Sequence, residues 1–513
     1  MVPASQPQAS AAPSPRWGKV IDQSTCIGCH ACTTACKSEN EVPVGVSRTF
    51  VKSVDVGEFP AARRAFQVTR CNQCEDAPCV RACPTAAMHQ RPDGIVDVDK
   101  NACIGCKACI AACPYDAIFI NPDHHAAEKC NFCAHRLDVG LEPACVTVCP
   151  TQSIYVGDLN DAGSRVAQTV KRDVVNVRKP EKDTRPKLFY KAAHQATLDP
   201  LAARGPEAGL LAWSQSFQGE RAVAPGAAGA NSSAAARISY DHPHRMPWDW
   251  RVSAYTWTKN IASGVYLIPL LLVLCGQMPA GNALWQWLAP ILGGVFLTIT
   301  AVLLISDLDH PDRFWMILTR PQWHSWLVRG GVILIAYGGV LAIHFAASLF
   351  GDHGLQAVLM WPGAPLAVLC SAYTAFLFAQ AKARDLWQNP LLAPHLLVQA
   401  ALTGAAVLLP FSLWLAPQGV VTILLWTVGL ASLAHVLFVW VDAVLPHATA
   451  HARQAAAQMT RGRYRVFFWP ALALCASGIA VPWVGAWLFP LTLAGVLAHE
   501  HARVQAGQSV PLA

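Results

Sequence analysis

Sixteen cysteines lie between Cys26 and Cys149, in four runs of related spacing. The first run is Cys26, Cys29, Cys32 and Cys36, and Cys103, Cys106, Cys109 and Cys113 repeat its gaps of two, two and three residues. Cys71, Cys74, Cys79 and Cys83 widen the middle gap to four, and Cys130, Cys133, Cys145 and Cys149 widen it to eleven. Three runs end in Cys-Pro, at Pro84, Pro114 and Pro150. Three thiolates on a tight loop wrap three corners of an iron–sulfur cube, and the turn that follows carries the fourth sulfur away to another cluster. The chain also repeats itself: CIGCHAC at 26–32 matches CIGCKAC at 103–109, and CVRACPTAAM at 79–88 resembles CVTVCPTQSI at 145–154. Such self-similarity marks a duplicated two-cluster module. Disulfides would need an oxidising compartment, and thiols this close in tandem are poorly placed to pair with one another. Zinc would favour paired C-x2-C knuckles without the third cysteine and the trailing Cys-Pro. The expectation is four [4Fe–4S] clusters.

Residues 17–200 resemble the four-cluster iron–sulfur subunits of molybdenum oxidoreductases, the group that includes the electron-transfer proteins of dimethyl sulfoxide, polysulfide and nitrite reductases. The fold implied is a duplicated bacterial ferredoxin-like α+β domain. In that family the outer runs share their cysteines, and so do the inner ones. Carried over, Cys149 joins Cys26, Cys29 and Cys32, and Cys36 joins Cys130, Cys133 and Cys145. Likewise Cys113 joins Cys71, Cys74 and Cys79, and Cys83 joins Cys103, Cys106 and Cys109. Lys107 and His30 lie inside cluster loops, where they could tune potentials or simply face solvent.

The elements that must position these loops divide sharply. Residues 1–250 hold 27 of the 39 Lys+Arg and 25 of the 32 Asp+Glu, so the second half is apolar and reads as a polytopic membrane domain. No dense basic run suggests nucleic acid. Residues 1–16 read as a disordered tail without an export signal, 201–250 as an Ala/Gly/Ser-rich linker, and 501–513 as a second tail. Between them, 251–500 form an all-α bundle of about eight spans: 254–275, 284–306, 327–349, 362–381, 392–415, 420–442, 466–481 and 483–499. Cys275, Cys370 and Cys475 sit in apolar runs and are expected as buried packing residues. With eight spans, all twelve Lys and Arg beyond residue 250 fall on the side of the cysteine-rich head. The positive-inside rule places that side in the cytoplasm, with the bundle in a bacterial inner membrane.

SAYTWTKNIASG (253–264) and SDLDHPDRFWMILTRPQWHSWLVRGG (306–331) resemble the haem-free membrane anchors of polysulfide, nitrite and dimethyl sulfoxide reductases. The resemblance implies a quinone, ubiquinone or menaquinone, bound near the head. Two-electron, two-proton chemistry needs donors to the carbonyl oxygens and an apolar slot. On the head-facing side the candidates are Tyr255, Lys259, Asn260, Asp307, His310, Arg313 and Asp442, ionisable or polar groups at or near membrane depth; ion pairing within loops and snorkelling are the plainer roles for them. His344 and His435 lie toward opposite sides and form no obvious axial pair, so no haem is expected. The chain then reads as the electron-transfer and anchor subunit of a quinone-linked oxidoreductase whose molybdopterin catalytic subunit is a separate partner. Cytoplasmic sulfite oxidation fits the placement best, with formate, polysulfide, thiosulfate and dimethyl sulfoxide open. The alternatives are a module of a hydrogenase or larger respiratory complex, and a structural anchor that binds no quinone.

Overall fold

The computed structural model describes residues 14–204 and 236–512; most of the expected N-terminal tail and residues 205–235 of the expected linker lie outside them. In the head, β1 (Trp17–Asp22), β2 (Thr49–Val56), β3 (Arg63–Arg70), β4 (Ile154–Asp158), β5 (Val175–Asn176), β6 (Leu188–Lys191) and β7 (Ala236–Tyr240) form two sheets. One has the order β4-β1-β6-β5, with β1 parallel to β6 (Lys19 opposite Leu188) and antiparallel to β4 (Ile21 opposite Ile154). The other is the antiparallel sheet β7-β2-β3. The parallel pairing of β1 with β6 ties the beginning of the head to its end.

The internal repeat is visible in the backbone. Gly28 and Gly105 adopt φ +67° and +69°, and His30 and Lys107, two residues on, adopt φ 61° and 60°. Each left-handed pair turns the chain sharply and launches a helix, Ala31–Glu39 in one copy and Ala108–Ala112 in the other. Each helix carries the third cysteine of its run on its first turn.

The membrane domain comprises α1 (Trp250–Leu274), α2 (Ala289–Ser306, preceded by a π-helical turn at Leu284–Leu288), α3 (Trp326–Leu349), α4 (His353–Gln380), α5 (Leu392–Leu415), α6 (Gln418–Val444), α7 (Arg465–Ser477) and α8 (Phe489–Gln508). Seven stretches among the described residues are long and apolar enough to cross a membrane, the seventh being Arg465–Val484. Helix α4 starts at His353 rather than at the expected 362, because Pro362 and Pro365 are accommodated within it. The eighth helix is shifted from 483–499 to Phe489–Gln508. It therefore runs into the expected tail at 501–513, and residues 502–512 are buried. The bundle's outward face is apolar, with Trp361, Trp414 and Trp487 more than four-fifths exposed, as a surface covered by lipid requires. Cys370 and Cys475 are buried as expected, whereas Cys275 ends α1 and is exposed.

Helices α1 and α5 cross backbone to backbone. A Cβ added to Gly264 would meet the Ala400 carbonyl oxygen at 1.9 Å and the Gly404 Cα at 2.9 Å. Two facing glycines are thus what lets polar side chains one turn away, Asn260 and Gln399, reach across at 2.9 Å.

Candidate functional site: four thiolate centres and the membrane seam

The structure brings cysteines of different runs together. Cys149 lines one pocket with Cys26, Cys29 and Cys32. Cys83 lines another with Cys103, Cys106 and Cys109. Burial pushes the Cys36 thiol up to about 12, and Cys130, Cys145 and Cys133 beside it push the same way. Burial likewise drives Cys79 well up, together with Cys113, Cys71 and Cys74. Cysteines of different runs thus stand beside one another in the folded head.

These pockets suit iron–sulfur clusters by their donors. Each offers four sulfurs, and backbone N–H groups are aimed at several of them. Met88 N–H donates to Cys83 Sγ at 3.3 Å, Ala127 to Cys103 at 3.4 Å, Ser153 to Cys149 at 3.3 Å and Gln73 to Cys71 at 3.5 Å. Such bonds stabilise thiolate and cluster charge. Two cations lie directly against the Cys36–Cys130–Cys133–Cys145 centre. Arg70 Nη1 lies 3.0 Å and Lys19 Nζ 4.0 Å from Cys145 Sγ, and both residues are buried. Burial alone would raise the Cys145 thiol, yet Lys19 and Arg70 overcome it and bring it down to about 7.

The Cys83–Cys103–Cys106–Cys109 centre borders the membrane domain. Asp309 N–H donates to Gly105 O (3.4 Å) and His310 N–H to Ile104 O (3.2 Å). Arg313 Nη1 donates to Lys100 O (3.0 Å) and Cys103 O (3.2 Å), and His310 Nε2 lies 2.9 Å from His124 O. Gln322 N–H donates to Pro84 O (2.9 Å) and Ser325 Oγ to Ala82 O (2.8 Å). Trp248 Nε1 donates to Cys106 O (3.2 Å). In return Lys107 Nζ donates to Asp307 O (2.8 Å) and faces the Asp309 carboxylate at 3.5 Å. Lys107 is thus a docking residue. His30, its counterpart in the repeat, instead packs edge-on against Tyr240 at 4.9 Å. Gly105 permits this seam, since a Cβ there would meet Asp309 N at 2.9 Å.

The seven quinone candidates separate into groups. His310 and Arg313 are engaged by head main chain. Asp307 is buried beneath the cluster loop, and burial raises its carboxyl to about 7 against the pull of Lys107. Tyr255 is buried in one apolar layer with Ala111 of the head and Trp248. Lys259 and Asn260 lie on the next turns of α1. Lys259 Nζ donates to Ser371 O (2.7 Å) and Thr374 Oγ1 (2.6 Å), and Ser371 Oγ donates to Asn260 Oδ1 (3.0 Å). Asp442 stands apart on α6, accepting from Asn389 Nδ2 at 2.7 Å and facing Arg503 at 3.8 Å.

Sequence reasoning missed a second polar group. His395, His435 and His499 are buried together, and Gln399 Nε2 donates to Glu500 Oε1 at 2.7 Å. His435 pairs with His395 at 2.8 Å, while His344 packs on Trp285 and Tyr266 elsewhere. The available signal is a carboxylate, Glu500, directly after the apolar segment expected to end at 499.

Comparison with known proteins divides the chain at the same seam. Residues 17–38 match a 4Fe-4S binding domain, 63–159 a 4Fe-4S dicluster domain, and 239–494 the polysulphide reductase NrfD model. The B component of the tetrathionate reductase of Salmonella typhimurium is 42% identical over 211 residues, 40% of this chain and 84% of that protein. The B component of the polysulfide reductase of Wolinella succinogenes is 44% identical over 177 residues, 34% of this chain and 93% of that protein. The iron–sulfur subunit of the arsenate respiratory reductase of a Shewanella strain is 35% identical over 223 residues, 34% of this chain and 95% of the relative.

Proposed function

We propose that this chain, which belongs to the family of 4Fe-4S electron-transfer subunits of such reductases, here fused to an NrfD-type membrane domain, carries electrons between a separate molybdopterin subunit and membrane quinone. The observation that carries this reading is the seam. The Cys83–Cys103–Cys106–Cys109 loops are bonded directly onto the 307–325 segment, with Asp307 and Tyr255 immediately beneath.

The sixteen head cysteines hold four [4Fe–4S] clusters in the sets given above. Clusters bound there supply one-electron steps at potentials set by charge and hydrogen bonds. The chain's own residues do the rest. Backbone N–H groups and the Lys19–Arg70 pair stabilise negative charge at the sulfurs, and the seam holds one centre against the membrane. Trp248 and Tyr255 exclude water between that centre and the bundle. Asp307, Tyr255, Lys259 and Asn260 supply polar atoms for the quinone carbonyls, whereas His310 and Arg313 hold the docking loop. The basic loops containing Arg313, Arg320, Arg329, Lys382 and Arg384 lie at the head end, which supports a cytoplasmic head. Sulfite, presented inside the cell, is the partner substrate that this orientation favours.

The test is to purify the complex, identify the co-purifying chains and their metals, and assay sulfite, formate, polysulfide, thiosulfate, tetrathionate and dimethyl sulfoxide with a quinone analogue. A large molybdenum-containing chain and quinone-linked turnover of one substrate support the reading. Nickel in place of molybdenum would move the chain to a hydrogenase assembly.

A further inference from the structure

Between α1 and the head end of α6 runs a buried line of polar side chains that electron transfer does not use. Asn260 Nδ2 donates to Gln399 Oε1 (2.9 Å), and Gln399 Nε2 donates to Glu500 Oε1 (2.7 Å). His499 Nδ1 lies 3.7 Å from the same Glu500 oxygen and has no hydrogen-bond partner among the described residues. His395 Nε2 and His435 Nδ1 lie 2.8 Å apart, and both rings pack against His499, with centroids at 5.5 and 5.0 Å. One turn beyond Glu500, Arg503 faces Asp442 at 3.8 Å, and Asp442 meets the half-buried Asn389 in the loop on the head side. Glu500 and the three histidines are no more than 5% exposed.

Burying a carboxyl and three imidazoles in an apolar bundle is costly, and among the described residues the one permanent ion pair at this line is Arg503 with Asp442. In the close contact of His395 with His435 one ring nitrogen must donate and the other accept, so the two imidazoles share a proton. A carboxyl, a shared-proton pair and a third imidazole in sequence form a path along which protons hop.

We propose that Glu500, His499, His395 and His435 conduct protons between the quinone site at Lys259 and Asn260 and the head-side end of the bundle, where Arg503 and Asp442 stand. This rests on the quinone reading above. Oxidation of one quinol releases two electrons and two protons; the electrons leave through the head and the protons along this line, and reduction reverses both. Gln399 is a positioning residue, fixing the Glu500 carboxyl against Asn260. The three imidazoles also meet the ligand count of a zinc or copper site. The His395–His435 nitrogens, at 2.8 Å, stand closer than two ligands of one ion would, and Arg503 beside Glu500 opposes a second cation.

The experiment uses the full complex in sealed vesicles, with wild type, Glu500→Gln and His435→Gln. Four quantities are read: the cluster spectrum after dithionite, the elution on size exclusion, the rate of quinone-linked turnover, and proton uptake or release on the head side by a trapped pH dye. In both variants the dithionite-reduced spectrum and the elution on size exclusion stay as in wild type, which shows that head and bundle fold. Turnover falls by about 10²-fold, the scale of a lost proton-transfer group, its solvent isotope effect rises, and imidazole or a small carboxylic acid restores part of it. Variants that turn over and move head-side protons like wild type overturn the relay while leaving the quinone reading standing. A wild type whose clusters do not exchange electrons with quinol overturns the quinone reading itself. Stoichiometric zinc or copper that His435→Gln loses would make the histidine group a metal site and overturn the relay.

Discussion

Lys19 offers the sharpest quantitative test of the head. The residue is 2% exposed, and its ammonium lies over the Phe132 ring at 4.5 Å and stands 4.0 Å from Cys145 Sγ. A unit charge at about 4 Å in a protein environment of effective dielectric about 20 is worth about 4 kcal/mol. An electron added to a cluster spreads over atoms farther away than the ligand sulfur, so roughly half of this acts on the redox step, about 2 kcal/mol. For a one-electron couple that corresponds to roughly 90 mV. Lys19→Met puts an apolar side chain of similar length in place of the ammonium over Phe132 and removes the charge, so reduction becomes harder and the potential falls. Redox titration followed by electron paramagnetic resonance on the variant should show one cluster, that of Cys36, Cys130, Cys133 and Cys145, shifted negative by about that amount. The clusters at Cys71 and at Cys83 should move by less than about 30 mV, because the same charge acts from much farther away. A titration in which no cluster shifts, or in which the shift is positive, refutes the placement of Lys19 beside a cluster.

Three further outcomes follow from the packing. Gly264→Ala forces α1 away from the Ala400 carbonyl at a cost of about 2 kcal/mol or more; the detergent-purified chain should lose thermal stability on size exclusion, and quinone-linked activity with it. Gly105→Ala strains a φ of +69° and presses on Asp309; dithionite should still reduce every cluster, while reduction by a quinol analogue slows at least several-fold. His244 sits between Asp116 and Asp241. Burial alone would lower its proton affinity, but the two carboxylates raise it to about 10. A folded value above the unfolded value of about 6.5 gives stability that is complete below about pH 6.5 and is lost as pH rises through about 10. Thermal stability measured from about pH 6 to about pH 10.5 should decline over that window, and His244→Gln should flatten the decline.

The head was legible because cysteine spacing reports a local loop geometry, and the same left-handed turn at His30 and Lys107 follows from the repeated CIGC. The membrane helices were legible from hydropathy, except where proline suggested a start that α4 does not respect, or where a polar stretch hid the last turns of α8. The segment expected as a tail at 501–513 is instead buried, with Arg178 of the head donating to Leu512 O at 2.9 Å and Arg384 of the loop between α4 and α5 donating to Gln508 O at 3.0 Å. Composition reports what a segment can bury, not what another domain covers. The roles of His310, Arg313 and Lys107 were hidden for the same reason, since each bonds to a partner in the other domain, far away in sequence. The Glu500 and histidine group escaped notice because its members lie on three helices and no local spacing joins them.

In the function proposed above, quinol and the head clusters communicate through this one chain. The direct measurement is anaerobic addition of a quinol analogue to the purified complex, with freeze-quenched electron paramagnetic resonance and iron analysis on the same sample. The expected result is about 16 iron atoms per chain, four for each of four cubanes, and cluster signals that appear on quinol addition and are blocked by a quinone-site inhibitor. Full iron content with clusters that dithionite reduces but quinol never does would contradict it.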